Sequence, residues 1–77
     1  MNRLKEVREK KELWQKDIAD LLNITQQQYS LYETEKRIIP LPIIKKLANY
    51  YNTSIDYLAG LTDEEKPYPR KETKNEI

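Results

Sequence analysis

Three consecutive glutamines, Gln26-Gln27-Gln28, are the densest run of side chains in this sequence able to do directed chemistry. Each carboxamide carries donors and an acceptor in one plane, so that chemistry is recognition by paired hydrogen bonds rather than bond making. Reaction chemistry is poorly supplied. The 77 residues contain no histidine and no cysteine, which removes imidazole acid–base catalysis, thiolate nucleophiles, zinc clusters and disulfides together. Asp17 and Asp20 read as helix-face charges with no ligand-like partner, and no nucleophile–base pair or metal cluster can be assembled. No enzyme activity, no cofactor and no small-molecule ligand are expected.

The chain is short enough for one small domain. Net charge is +1, close to neutral, so the distribution matters more than the sum. Residues 1–61 carry ten Lys/Arg against eight Asp/Glu, and residues 62–77 carry four against five. A basic face is possible, but the total cannot establish it. No apolar run approaches a signal peptide or a membrane span. With no cysteine to oxidise, the expectation is a soluble cytoplasmic protein with no membrane partner.

Positioning the glutamines falls to helices. Apolar residues recur at helical spacing and nothing alternates with period two over the length of a strand. The pattern predicts helices over about 2–11, 15–22, 26–34, 40–51 and 55–59. Asn2 is a possible cap for the first. Leu4 and Val7 face inward in the first, Ile18, Leu21 and Leu22 in the second, and Leu41, Ile44, Leu47, Ala48 and Tyr51 in the fourth. Asn23 and Asn52 suit helix ends because asparagine tolerates left-handed dihedrals, and Gly60, the sole glycine, stops the last helix. Pro40-Leu41-Pro42 opens the fourth helix, where a missing N–H is harmless. Ser54 caps the fifth. Thr25 followed three residues later by Gln28 fits a capping box, which fixes the start of the third helix and places Gln26 and Gln27 in its first turn. After Thr62 the sequence has almost nothing to bury and two prolines, so residues 62–77 are expected to form a mobile polar tail, dispensable for the function of residues 1–61.

The pair of helices at 15–34 satisfies a demanding spacing. With Gln15 as the first position, Ala19 is fifth and Asn23 ninth. Ile18, Leu22, Ile24, Tyr29 and Tyr32 are fourth, eighth, tenth, fifteenth and eighteenth. Two helices crossing steeply need a small side chain where they touch, and Ala19 supplies it. The turn needs a residue that accepts positive φ, and Asn23 can. The other five close the angle with apolar packing. This pattern resembles the helix-turn-helix family of the lambdoid phage repressors and Cro, also called the xenobiotic-response-element family. The resemblance runs over about residues 2–61, with Leu4 and Arg8, Tyr32-Glu33, Lys36-Arg37, Leu47-Ala48 and Asn52 to Leu58 all at family-like positions.

The resemblance implies an all-α bundle of five helices, a lambda-repressor-like DNA-binding domain, bound as a homodimer to double-stranded DNA with its third helix in the major groove. On that basis Gln26, Gln27, Gln28, Ser30 and Leu31 are the candidate base contacts. A glutamine amide matches the adenine edge, a leucine can meet a thymine methyl, and Gln28 competes with its own cap. Gln15, Lys16, Lys36 and Arg37 are the candidate phosphate contacts. Arg8 and Glu33 are expected to form a structural ion pair, and Tyr57, Leu58 and Leu61 are the candidate dimer surface. The implied function is a transcriptional regulator, a repressor reading a roughly palindromic operator. The alternative is a protein-interaction module, such as an antitoxin or partner-binding subunit, built on the same bundle. Two glutamates depart from the family, Glu12 and Glu35, where glycine is usual. Either they accept positive φ at a cost on the order of 1 kcal/mol, or their loops are built differently. Trp14 stands where threonine or serine is common and has no oxygen to cap its helix, so the first amides there need another partner, a DNA phosphate being one candidate.

Overall fold

The computed structural model describes residues 1–69. They form five helices and no strand: α1 Leu4–Lys10, α2 Gln15–Leu22, α3 Gln26–Glu33, α4 Leu41–Tyr51 and α5 Ile55–Ala59. The expected all-α five-helix architecture is the one observed, with the first helix shorter at both ends than its pattern suggests. Asn2 acts from just outside α1. Its Oδ1 accepts the Leu4 amide at 3.1 Å and its Nδ2 donates to the Tyr32 carbonyl at 2.9 Å, so one side chain both starts α1 and ties it to α3.

One core unites the helices. It comprises Leu4 and Val7 of α1, Ile18 and Ala19 of α2, Tyr29 and Tyr32 of α3, Ile44, Leu47, Ala48 and Tyr51 of α4, and Tyr57 and Leu58 of α5. With no phenylalanine in the chain, tyrosine supplies the large planar surfaces, and each buried tyrosine brings a hydroxyl that must be placed.

All five helices end in the same way. The amide of a left-handed residue bonds back three residues and the next amide bonds back five, which satisfies the carbonyls orphaned at a helix end. The left-handed residues are Glu12, Asn23, Glu35, Asn52 and Gly60, with φ of 59°, 59°, 61°, 57° and 83°. At α1 the bonds run from Glu12 to Glu9 (2.9 Å) and from Leu13 to Arg8 (3.1 Å); at α3 they run from Glu35 to Tyr32 (3.2 Å) and from Lys36 to Leu31 (3.0 Å). Glu12 and Glu35 therefore do take the glycine-like conformation: the loops are built as in a glycine-capped helix, and the chain tolerates the cost. Only Gly60 is irreplaceable on space as well, because a Cβ there would run into the carbonyl of Met1. Glu12 is exposed and donates or accepts no side-chain hydrogen bond among the described residues. Glu12→Gly is expected to stabilise the domain by about 0.5–1 kcal/mol, the relief of the left-handed penalty less the added freedom of the unfolded chain. Thermal unfolding should show a midpoint higher by a few degrees; an unchanged or lower midpoint would mean that no strain resides there.

The segment after α5 makes polar contacts with the helices over its described part. Arg3 gathers it in. The Arg3 Nη1 donates to the carbonyls of Tyr57 (2.8 Å) and Thr62 (2.7 Å), Nη2 reaches Asp63 at 2.6 Å, and the guanidinium lies 4.4 Å from the centre of the Tyr57 ring. Further along, the Thr53 hydroxyl donates to the Glu65 carbonyl at 2.5 Å, Lys10 meets the Glu65 carboxylate at 3.3 Å and the Tyr68 hydroxyl donates to Asp56 at 2.9 Å. Residues 62–69 thus brace α1, α5 and the α4–α5 turn through polar contacts, which an apolar-burial reading of the sequence does not see. The remainder of the expected tail, 70–77, lies outside the described residues.

Candidate nucleic-acid interface

α2 and α3 pack more closely against each other than any other pair of helices. Ala19 is buried in the angle between them, and Asn23 turns the chain with φ 59° and ψ 43°. Tyr29 and Tyr32 are core residues on the inner side of α3, which leaves the outer side of that helix to polar groups.

The start of α3 is fixed by its capping box. Thr25 Oγ1 accepts the Gln28 amide at 3.0 Å and Gln28 Oε1 accepts the Thr25 amide at 3.1 Å. Gln28 has therefore committed its acceptor to the cap. Gln26 and Gln27, two residues and one residue earlier in the same turn, are exposed and their carboxamides make no hydrogen bond among the described residues. Both keep donor and acceptor available, aimed outward from the first turn. Ser30 and Leu31 are half-buried further along the helix. Ser30 presents its carbonyl to the Thr34 hydroxyl at 3.0 Å, and the Leu31 carbonyl receives the amides of Lys36 and Arg37.

The cations expected at the backbone lie at the start of α2 and in the loop after α3. Lys36 and Arg37 are exposed in the loop directly after α3 and join no ion pair among the described residues. Lys16 is exposed at the start of α2 and pairs one turn along with Asp20 at 3.1 Å. Both partners are about seventy per cent exposed (73% and 68%), so the pair is weak and easily traded for a phosphate. Gln15 is half-buried, and its Nε2 donates to Glu33 at 3.0 Å. The structure thus gives this glutamine an internal partner that its expected role did not include; a carboxamide nitrogen carries a second N–H.

Behind the interface lies the ion pair. Arg8 Nε donates to Glu33 Oε2 at 2.6 Å and Nη2 to Oε1 at 3.2 Å, a forked contact, while Nη1 donates to the Leu13 carbonyl at 2.8 Å. The Glu33 carboxylate side chain is 3% exposed. Burial pushes Glu33 up, but hydrogen bonds from Arg8 and Gln15 and the arginine charge outweigh it and hold the carboxyl below its ordinary value of 4.5. The phenols of Tyr29 and Tyr51 sit nearby and are pushed above the normal tyrosine range, first by burial and then by the Glu33 charge. Arg8 of α1 and Gln15, the first residue of α2, meet on the carboxylate of Glu33, the last residue of α3, and Arg8 also ties in the α1–α2 loop through the Leu13 carbonyl. That junction ties the α2 start to the end of α3.

Trp14 is the departure whose outcome the sequence left open. The indole cannot cap, and Asp17 does half of that work instead, accepting the Trp14 amide at 2.7 Å. Two other side chains were not singled out for their structural roles. Arg3 closes the α5 end, and Lys46 donates to the Leu21 carbonyl at 3.0 Å and so caps α2 from α4. Tyr57 and Leu58, expected at a dimer surface, are 8% and 0% exposed: they are core. Only Leu61 of that trio is on the surface.

The helical pair, its buried alanine and its left-handed asparagine are matched by a family model described as helix-turn-helix, over residues 4–58. The chain belongs to the helix-turn-helix family. It is 37% identical over 73 residues to the uncharacterized HTH-type transcriptional regulator YobD of Bacillus subtilis (strain 168), covering 95% of this chain and 63% of that protein. It is 45% identical over 58 residues to the HTH-type transcriptional regulator ImmR of the same organism, covering 75% of this chain and 46% of that one. The chain therefore spans about half to two thirds of the length of these relatives. No solved structure matches it. The family is one of DNA-binding regulators rather than of enzymes. Among the described residues no helix is long and apolar enough to cross a membrane.

Proposed function

We propose that this helix-turn-helix domain represses transcription by occupying a roughly palindromic operator as a homodimer, with α3 in the major groove. The observation that carries the reading is the outward pair Gln26 and Gln27, whose unengaged carboxamides stand in the capped first turn of α3, with Lys16 beside Gln26 and with Lys36 and Arg37 exposed in the loop after the helix. Amides at that end of a recognition helix meet base edges, and cations beside it meet phosphates. Gln28, Ser30 and Leu31 complete the base-facing set, and Gln15 the backbone set.

A single α3 spans too few base pairs for useful affinity at physiological salt, so the reading includes a dimer. The surface suited to it lies around the end of α5. Leu61 is 77% exposed, Met1 abuts Gly60, and Ile38, 90% exposed, lines a cleft with Ala59.

Selection from a random duplex library tests the whole of this. The expected motif is two-fold symmetric with half-site centres about one helical turn, ~10 bp, apart. Its affinity should fall steeply with salt as counterions are released. Failure to enrich any motif, with no salt-dependent duplex binding, would favour the protein-interaction module instead. The DNA-reading unit is residues 1–61. A chain truncated after Thr62 should keep operator affinity within about tenfold while unfolding at a lower temperature, because the contacts of Asp63, Glu65 and Tyr68 are gone.

A further inference from the structure

We propose that Trp14 grips the DNA backbone beside the recognition helix, its ring against a deoxyribose and its indole N–H donated to a phosphate; this rests on the DNA-binding reading above. Trp14 is the only tryptophan of the chain and is 77% exposed. It packs nothing in the core. Its position at the α2 start gives it no capping role, since the indole has no acceptor for the first amides and Asp17 only accepts the Trp14 amide. Its indole N–H, a donor with no acceptor function, has no partner among the described residues. A large aromatic kept in water with an idle polar edge suits a surface that meets a partner with both apolar and anionic parts. The sugar–phosphate backbone is such a partner.

The neighbours of the ring decide which partner and from which side. Trp14 stands as a ridge between two shallow clefts. One is lined by Gln15, Lys16 and Gln26, with Arg8 at its base, and so joins the ring directly to the first residue of α3 and to a candidate phosphate cation. The other is lined by Glu9, Glu12 and Leu13, again over Arg8. Arg8 is neutralised by Glu33, so the second cleft presents two carboxylates that repel a phosphate, whereas the first presents two carboxamides and the Lys16 ammonium, whose exposed pair with Asp20 is weak enough to give way to a phosphate. The strand must therefore run along the Lys16 side, which is also the side continuous with Gln26. A protein partner would have no reason to favour that continuity with the base-reading turn.

The sole tryptophan provides its own probe. A duplex recovered from the library selection is titrated into the full chain while Trp14 emission and the anisotropy of the labelled duplex are followed together. Binding should shift the emission to the blue and protect it from acrylamide. Trp14→Phe keeps a ring and loses the N–H; it should weaken the selected duplex about three- to tenfold, the worth of one hydrogen bond. Trp14→Ala should weaken it further, and both should do so equally on single-base variants of the site. Thermal unfolding of both variants should match the parent, since the side chain is exposed. If anisotropy reports binding while the emission stays that of an exposed indole and Trp14→Ala binds as the parent does, the contact is refuted and the DNA-binding function stands. If no duplex binds the parent chain, the function and the contact are refuted together.

Discussion

Arg8→Ala is expected to lower the stability of the domain by about 3–5 kcal/mol, the cost of leaving one partner of a buried ion pair without the other. In a domain of this size that loss is a large part of a total of about 4–10 kcal/mol and corresponds to a fall in the unfolding midpoint of roughly 12 °C or more. The size of the effect follows from what the guanidinium does. It fills two acceptor positions on a carboxylate that is 3% exposed and a third on the Leu13 carbonyl. Removing it strands a charge and a carbonyl in the interior together. Replacing both partners with apolar residues of similar volume, Arg8→Met with Glu33→Leu, should recover much of the loss, since neither charge is then stranded. An Arg8→Ala protein that unfolds with the parent would show that water reaches the pair and that the contact is a surface one.

The same pair has a pH signature with a definite sign. The folded-state pKa of Glu33 is depressed below the ordinary 4.5. Its contribution is therefore fully present above the unfolded-state value and is lost as pH falls through the folded-state value. Between neutrality and about pH 5 the stability gap between the parent and Glu33→Gln should be constant; at lower pH it should close. Urea unfolding of both proteins at a series of pH values measures that gap directly. A gap that widened on acidification would require a raised pKa instead.

Gln26→Ala and Gln27→Ala should each reduce affinity for the preferred operator by about 1–3 kcal/mol and relax the preference at one base pair. Lys36→Ala should weaken every sequence about equally and lower the salt slope by roughly one. The contrast is chemical. A carboxamide with both functions unengaged distinguishes an adenine edge from the other edges, whereas an ammonium in a loop senses only charge. Gln28→Ala should differ from its neighbours: its Oε1 holds the Thr25 amide, so the variant loses part of a helix cap as well, and its unfolding midpoint should drop where those of the other two do not. Affinities on the selected site and its single-base variants, at several salt concentrations, separate these cases. Retention of the parent's base preferences by both glutamine variants would place the base-reading surface elsewhere.

Apart from the Arg8–Glu33 pair, 25 residues apart and supplied by the family resemblance, the features legible in the sequence are those whose partners lie within about five residues. Thr25 and Gln28 bond each other across one turn, and Asn23, Asn52 and Gly60 satisfy carbonyls three and five residues back. Backbone geometry alone brings those atoms together, so residue types and spacing suffice, and the limits of α2 and α5 follow. Ala19, Tyr29 and Tyr32 are inside because helical periodicity puts them on one face. For Glu12 and Glu35 the sequence posed a choice between positive φ and another loop. The tertiary structure decided it, because the paired bonds at each helix end outweigh a left-handed penalty of about 1 kcal/mol.

What the sequence did not supply were the other partners distant along the chain. The Gln15 carboxamide turns toward Glu33, 18 residues away; Arg3 collects carbonyls 54 and 59 residues ahead; Thr53 holds the chain at Glu65. Tyr57 and Leu58 are core rather than interface because α5 lies across the chain start, where the Arg3 amide reaches the Leu58 carbonyl at 2.8 Å. No local pattern encodes such juxtapositions. They exist only once the helices have packed, because a polar side chain accepts any partner that the fold brings within about 3 Å, and which one that is depends on the crossing angles of helices whose individual sequences are indifferent to the choice.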